Sequence, residues 1–117
     1  MQQLKTIDEI LITSEGLQLY HKLIIQLNKD FQRAAIEEFF LETITPSELK
    51  IKLQEALFHL IQNHYSEYMN LLYIIDVSEE KIKNIEGEDT GEISEQIAYL
   101  ILLREWQKVW FKEKYKS

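Results

Sequence analysis

Residues 93–115 read ISEQIAYLILLREWQKVWFKEKY, and the way this stretch folds decides the architecture of the whole chain. From Ile97 to Leu103 its only polar group is the hydroxyl of Tyr99. Wound at about 100° per residue, it shows two apolar sides. One carries Tyr99, Leu102, Leu103, Trp106, Val109 and Trp110; the other carries Ile93, Ile97, Leu100, Ile101, Phe111 and Tyr115. A surface helix needs one apolar stripe, and a helix apolar nearly all round is a buried one. The run is far too short to span a bilayer, which predicts a soluble protein with no membrane insertion. The stretch therefore predicts a central helix, Ser94 to Lys114, in a small bundle.

The rest of the sequence supplies helices to cover it. One proline and three glycines in 117 residues leave little room for the many turns of an all-β domain. A hydrophobic share of 45% is in the globular range. The expected fold is all-α: a single-domain helical bundle of residues 1–117, with four main helices and one or two short ones around the buried C-terminal helix. Residues 1–13 read as a short helix with a frayed start. Ser14 reads as the N-cap of a second helix, in which Leu17, Tyr20, Leu23, Ile24, Leu27, Phe31 and Ala34 form the apolar side and Lys22, Gln26, Lys29 and Arg33 the wet side, ending near Ala35. Residues 36–44 fit neither helical nor strand period and read as a connection whose aromatics cover one end of the bundle. Thr45-Pro46-Ser47-Glu48 has the form of a capping box with proline in the first turn and starts a helix running to Asn63. A turn at 65–67 leads to a helix ending at Ile75. Ser78 caps a short helix, residues 86–92 form an acidic loop, and Asp89 or Ser94 caps the central helix.

Several kinds of chemistry lack their residues. Cysteine is absent, which removes disulfides, thiolate nucleophiles and sulfur-ligated zinc. His21, His59 and His64 have no multi-ligand spacing, and no repeated Glu-x-x-His pair is present; neither a metal nor a cofactor is implied. The loop at 86–92 lacks the alternating ligands and terminal glutamate of a calcium loop. Ser14, Thr45, Ser78 and Ser94 read as helix caps rather than nucleophiles. The expectation is a non-catalytic protein in the cytoplasm.

Charge is distributed unevenly. Residues 1–103 hold eight Lys/Arg against eighteen Asp/Glu, a balance of −10; residues 104–117 hold five against two, a balance of +3. The acidic body repels a phosphate backbone and so disfavours nucleic acid. The basic end mixes Lys108 and Lys112 with Phe111 and Tyr115, and this predicts an interaction surface for another protein or for a second copy, as in a homo-oligomer. The competing expectation is a small-molecule-binding or catalytic bundle with a pocket lined by Tyr68, Tyr73 and Tyr99.

Overall fold

The computed structural model describes residues 3–116. Six helices are present among them: α1 (Ile7–Gly16), α2 (Tyr20–Arg33), α3 (Pro46–Asn63), α4 (Tyr65–Ile75), α5 (Glu79–Lys83) and α6 (Thr90–Lys114). The 25 residues of α6 span about 37 Å at 1.5 Å per residue. The molecule measures 41 Å along its longest axis, so α6 runs nearly its full length. It packs against α1, α2, α3 and α4. Ile97, Ala98, Ile101, Leu102, Trp106 and Val109 are buried along one broad face, and Ile93, Tyr99, Leu100, Leu103 and Trp110 pack half-buried on its flanks.

Where α1, α3, α5 and α6 start follows from side-chain oxygens that accept otherwise unpaired N–H groups. Thr6 accepts from the Glu9 N–H at 3.1 Å. At Thr45 the reciprocal box is complete: its hydroxyl accepts from the Glu48 N–H at 3.2 Å, while Glu48 accepts from the Thr45 N–H at 3.1 Å. Ser78 caps α5. Asp89 caps α6 by accepting from the Glu92 N–H at 2.8 Å. Two serines differ from the sequence expectation. Ser14 is buried near the end of α1, its hydroxyl donating to the Leu11 carbonyl at 2.9 Å, because the first helix is longer than residues 1–13 suggested. Ser94 lies inside α6 and donates back to the Thr90 carbonyl. The second helix consequently begins at Tyr20, with no side-chain cap, and Leu17 is exposed. The turn expected at 65–67 is confined to His64, and Tyr65 already belongs to α4.

Three helices end by one device. After α1, the Gln18 N–H donates to the Glu15 carbonyl and the Leu19 N–H to the Ser14 carbonyl; after α2, Ala35 donates to Gln32 and Ile36 to Phe31; after α4, Asp76 donates to Tyr73 and Val77 to Leu72. These paired bonds are Schellman motifs, whose turning residue is left-handed. Here the turning residues are Gln18 (φ 61°), Ala35 (φ 59°) and Asp76 (φ 70°), where glycine is the usual occupant. In each case the next residue (Leu19, Ile36, Val77) is buried and pulls the chain back over the core.

Residues 36–41 are extended, with no helical turn. Asn28 holds this segment like a neighbouring strand: its side-chain oxygen accepts from the Phe40 N–H at 2.8 Å, and its amide donates to the Phe40 carbonyl at 2.7 Å. Phe40 turns inward and meets Phe31 edge-on, centroids 5.4 Å apart. The period-two alternation of an extended chain then turns Phe39 and Leu41 outward, and both are exposed.

Two stability changes follow. Ala35→Gly should raise stability by up to about 1 kcal/mol, the left-handed strain relieved exceeding glycine's extra chain entropy; denaturant melting reads this, and a loss would mean that the turn carries no strain. Trp106→Ala should cost on the order of 3–5 kcal/mol, since the indole is among the largest fully buried side chains. An unchanged thermal midpoint would place that ring outside the core.

Candidate functional site

The last third of α6 leaves the apolar core and changes character. Glu105 is fully buried on its inner side and Asp30 of α2 is fully buried opposite. Lys108 reaches in between them, its Nζ 2.9 Å from Asp30 Oδ2 and 3.2 Å from Glu105 Oε1. Gln26 donates to the same Asp30 oxygen at 3.1 Å. Neither Glu105 oxygen nor Asp30 Oδ1 finds a conventional hydrogen-bond donor. Two carboxylates share one close ammonium, since Arg33 approaches Asp30 Oδ1 only to 3.8 Å from a largely exposed position. The excess negative charge left in this water-poor site is costly to bury. A proton on Glu105 removes that charge and supplies the donor that Asp30 lacks. Burial and the neighbouring Asp30 push the Glu105 carboxyl up to about 9, against a smaller opposing pull from Lys108. At Asp30, burial pushes upward but is outweighed by hydrogen bonds from Glu105, Lys108 and Gln26, which hold its carboxyl below the ordinary value.

Polar links to α2 continue along the helix. Lys112 donates to Gln26 Oε1 at 2.8 Å, and Glu113 pairs with Lys22 at 2.6 Å. Lys116 and Lys22 hold the Glu113 carboxyl down at about 2. Lys112 and Glu113 thus turn towards α2, while Trp110 packs half-buried against the core. Two aromatic residues face water: Phe111 is 46% and Tyr115 71% exposed. Their rings stack in parallel, centroids 5.9 Å apart. Trp110 meets Phe111 edge-on at 5.5 Å, and Lys114 Nζ lies 4.6 Å over the Trp110 ring. The tip of α6 is thus an aromatic ledge among lysines, with its apolar side outward.

Of the residues expected at this surface, Phe111 and Tyr115 lie together and exposed. Lys112 lies on the flank, exposed but tied to Gln26. Lys108 does not belong to the surface, because the charge of Asp30 and Glu105 draws it inward to 18% side-chain exposure. Asp30 and Glu105 were not singled out in the sequence, and Gln26, expected on the wet side, is buried. A signal was present: Glu105 occupies the buried register between Leu102 and Val109, where an apolar residue belongs.

The three tyrosines of the competing expectation are not brought together. Tyr68 is buried, which pushes its hydroxyl up to about 12. Tyr73, five residues along the same helix, is 83% exposed. Tyr99 donates to the Leu4 carbonyl at 2.6 Å and lines an open groove of 660 Å³ with Lys5, Lys50, Lys81 and Gln96. His59 and His64 approach with ring centroids 5.2 Å apart, but among the described residues no three His, Asp or Glu side chains converge as metal ligands. No helix among them is long and apolar enough to cross a membrane.

Comparison with known proteins returned no matching family model, no similar curated protein and no similar solved structure.

The buried carboxyl predicts a definite pH dependence. The folded chain keeps a proton on Glu105 that the unfolded chain releases above about 4.5, so raising pH between roughly 5 and 9 favours unfolding. Glu105→Gln keeps a donor for Asp30 and carries no charge. The variant should match the parent in mild acid, exceed it at pH 8–9, and show a flatter decline between them. Parallel pH profiles for the two proteins would mean that Glu105 is ionised in the fold.

Proposed function

We infer that this chain is a non-catalytic protein–protein interaction module that binds through the outward aromatic tip of α6. The observation that carries this reading is the inversion of the last turns, where Lys108, Lys112 and Glu113 are spent on contacts within the protein while Phe111 and Tyr115 stack in water. Such an arrangement leaves apolar area uncovered that the adjoining core could have taken up. Exposed aromatic clusters rimmed by polar groups mark interaction sites. Stacked rings bring a large contact area that is already ordered, which lowers the entropy lost on binding. The lysines beside them steer an acidic partner more than they add affinity.

A small-molecule role has weaker support. The groove beside Tyr99 is open, and the tyrosines that would have lined an enclosed pocket point elsewhere. An acid–base role for Asp30 and Glu105 would require substrate access, and both are fully buried.

The double change Phe111→Ser with Tyr115→Ser tests the reading. The fold should persist, since neither ring is in the core, with unaltered far-UV circular dichroism. Association with itself or with a protein partner, followed by light scattering and by pull-down from the native host, should be lost. In the parent protein it should weaken with salt, as the Debye length falls from about 10 Å at 0.1 M to 3 Å at 1 M. A folded variant that keeps its mass and partners would show that the tip is not an interface.

A further inference from the structure

A second exposed apolar surface lies on the body, built around the extended segment after α2. Phe39, Leu41 and Ile51 are 58%, 61% and 57% exposed, and Ile12 is 69% exposed. They lie along three adjoining grooves. Ile12 and Ile51 line the first, between α1 and α3. Ile51 and Leu41 line the second, and Phe39 with Ile25 of α2 lines the third. Glu38 borders both the second and the third. The result is a belt of branched and aromatic side chains crossing from α1 to α2.

The belt is rimmed by acid. Glu37, Glu42 and Glu55 border its grooves and are exposed. Two of its lysines are engaged, Lys52 contacting Glu38 and donating to the Phe39 carbonyl and Lys50 pairing with Asp8. Lys29 also borders the third groove, and the three exposed glutamates outnumber it. Among the described residues, Glu37, Glu42 and Glu55 have no ion-pair partner.

We propose that the acidic apolar belt centred on Phe39, Leu41 and Ile51 is the docking site for the basic aromatic tip of α6 of a second copy of this chain. The proposal rests on the interaction reading above and names the partner surface. Charge decides the pairing. Belt against belt brings Glu37, Glu42 and Glu55 of both copies together, and tip against tip brings Lys112, Lys114 and Lys116 together. Like charges in a forming interface are penalised. Belt against tip sets three unpaired carboxylates opposite Lys114, Lys112 (bonded only to the neutral Gln26 amide) and Lys116 (paired with Glu113), around apolar groups on both sides. The shapes also correspond. The tip is a single helix end bearing a flat aromatic stack, and the belt is a series of open clefts rather than a closed cavity. Because one patch meets a different patch, the contact either forms twice across a two-fold axis or continues from copy to copy.

The test uses two full-length variants that each keep one half of the contact. The belt variant carries Phe39→Ser and Leu41→Ser; the tip variant carries Phe111→Ser and Tyr115→Ser. Sedimentation at 50 mM salt should show self-association of the parent and at least a tenfold weakening for either variant alone. An equimolar mixture of the two should recover a one-to-one complex, since one intact tip then meets one intact belt. If the belt variant proves unstable, Glu37→Lys with Glu42→Lys replaces it. That variant should also lose self-association, and it should recover binding to a chain bearing Lys112→Glu, Lys114→Glu and Lys116→Glu.

A monomeric parent at millimolar concentration overturns the proposal. So does a belt variant that associates like the parent, or a mixture that recovers nothing. In those cases, loss of a host partner by the tip variant alone would still uphold the interaction module, whereas a tip variant without effect removes both readings.

Discussion

A helix of 25 residues with apolar groups on two sides cannot be covered by one neighbour, and this constraint organises the bundle. Each helix packed beside α6 takes part of its circumference, so α1, α2, α3 and α4 are arranged around it rather than in sequence order. Hydrophobic burial has no direction of its own and sets only that α6 be enclosed. Where the covering helices sit is set by how each one starts and stops. Oxygen caps at Thr6 and Thr45 fix the starts of α1 and α3, whereas α2 and α4 begin without a side-chain cap. The left-handed turns at Gln18, Ala35 and Asp76 fix three of the ends, and each puts a buried residue immediately after the turn.

That division explains what could be read without coordinates. The bundle, the buried α6 and the start of α3 were legible because apolar periodicity and the Thr45–Glu48 box are local patterns. The start of α2 was not, because its usual marks are missing. Glycine signals a left-handed helix end, and here Gln18 and Ala35 occupy that position at a cost in strain. Gly16, the nearby glycine, lies in the last turn of α1 instead. Ser14 looks like a cap and serves as a buried hydroxyl, satisfied by a carbonyl three residues back. The extended segment at 36–41 has alternating burial, but only the side chain of Asn28, twelve residues earlier, makes that alternation hold.

The candidate surface was partly legible for a related reason. Phe111 and Tyr115 continue an apolar stripe, and periodicity alone predicts burial for such residues. Whether they are covered depends on how far α2 extends alongside, which is a tertiary matter. Lys108 shows the same limit from the other side. It stands among surface-type neighbours, yet it is drawn inward because Asp30 and Glu105, far apart in the chain, are buried together.

The buried ionic cluster and the exposed aromatic tip depend on each other. An α6 ending in apolar contacts alone would have turned Phe111 and Tyr115 towards α2, where area could be buried at no further cost. Asp30, Gln26 and Lys22 give α2 a polar edge at that level, which pairs with Lys108, Lys112 and Glu113. Rotation of the helix about its axis is thereby fixed, because turning it to bury the aromatics would leave Asp30 charged and unpaired inside the protein. Breaking a buried pair in this way costs about 3–5 kcal/mol, and the same turn would draw Trp106 and Val109 out of the core. Phe111 and Tyr115, already partly covered, would each gain only part of the roughly 1.5–3 kcal/mol of a fully buried large apolar side chain. The polar ladder therefore holds the aromatic ledge outward-facing in water.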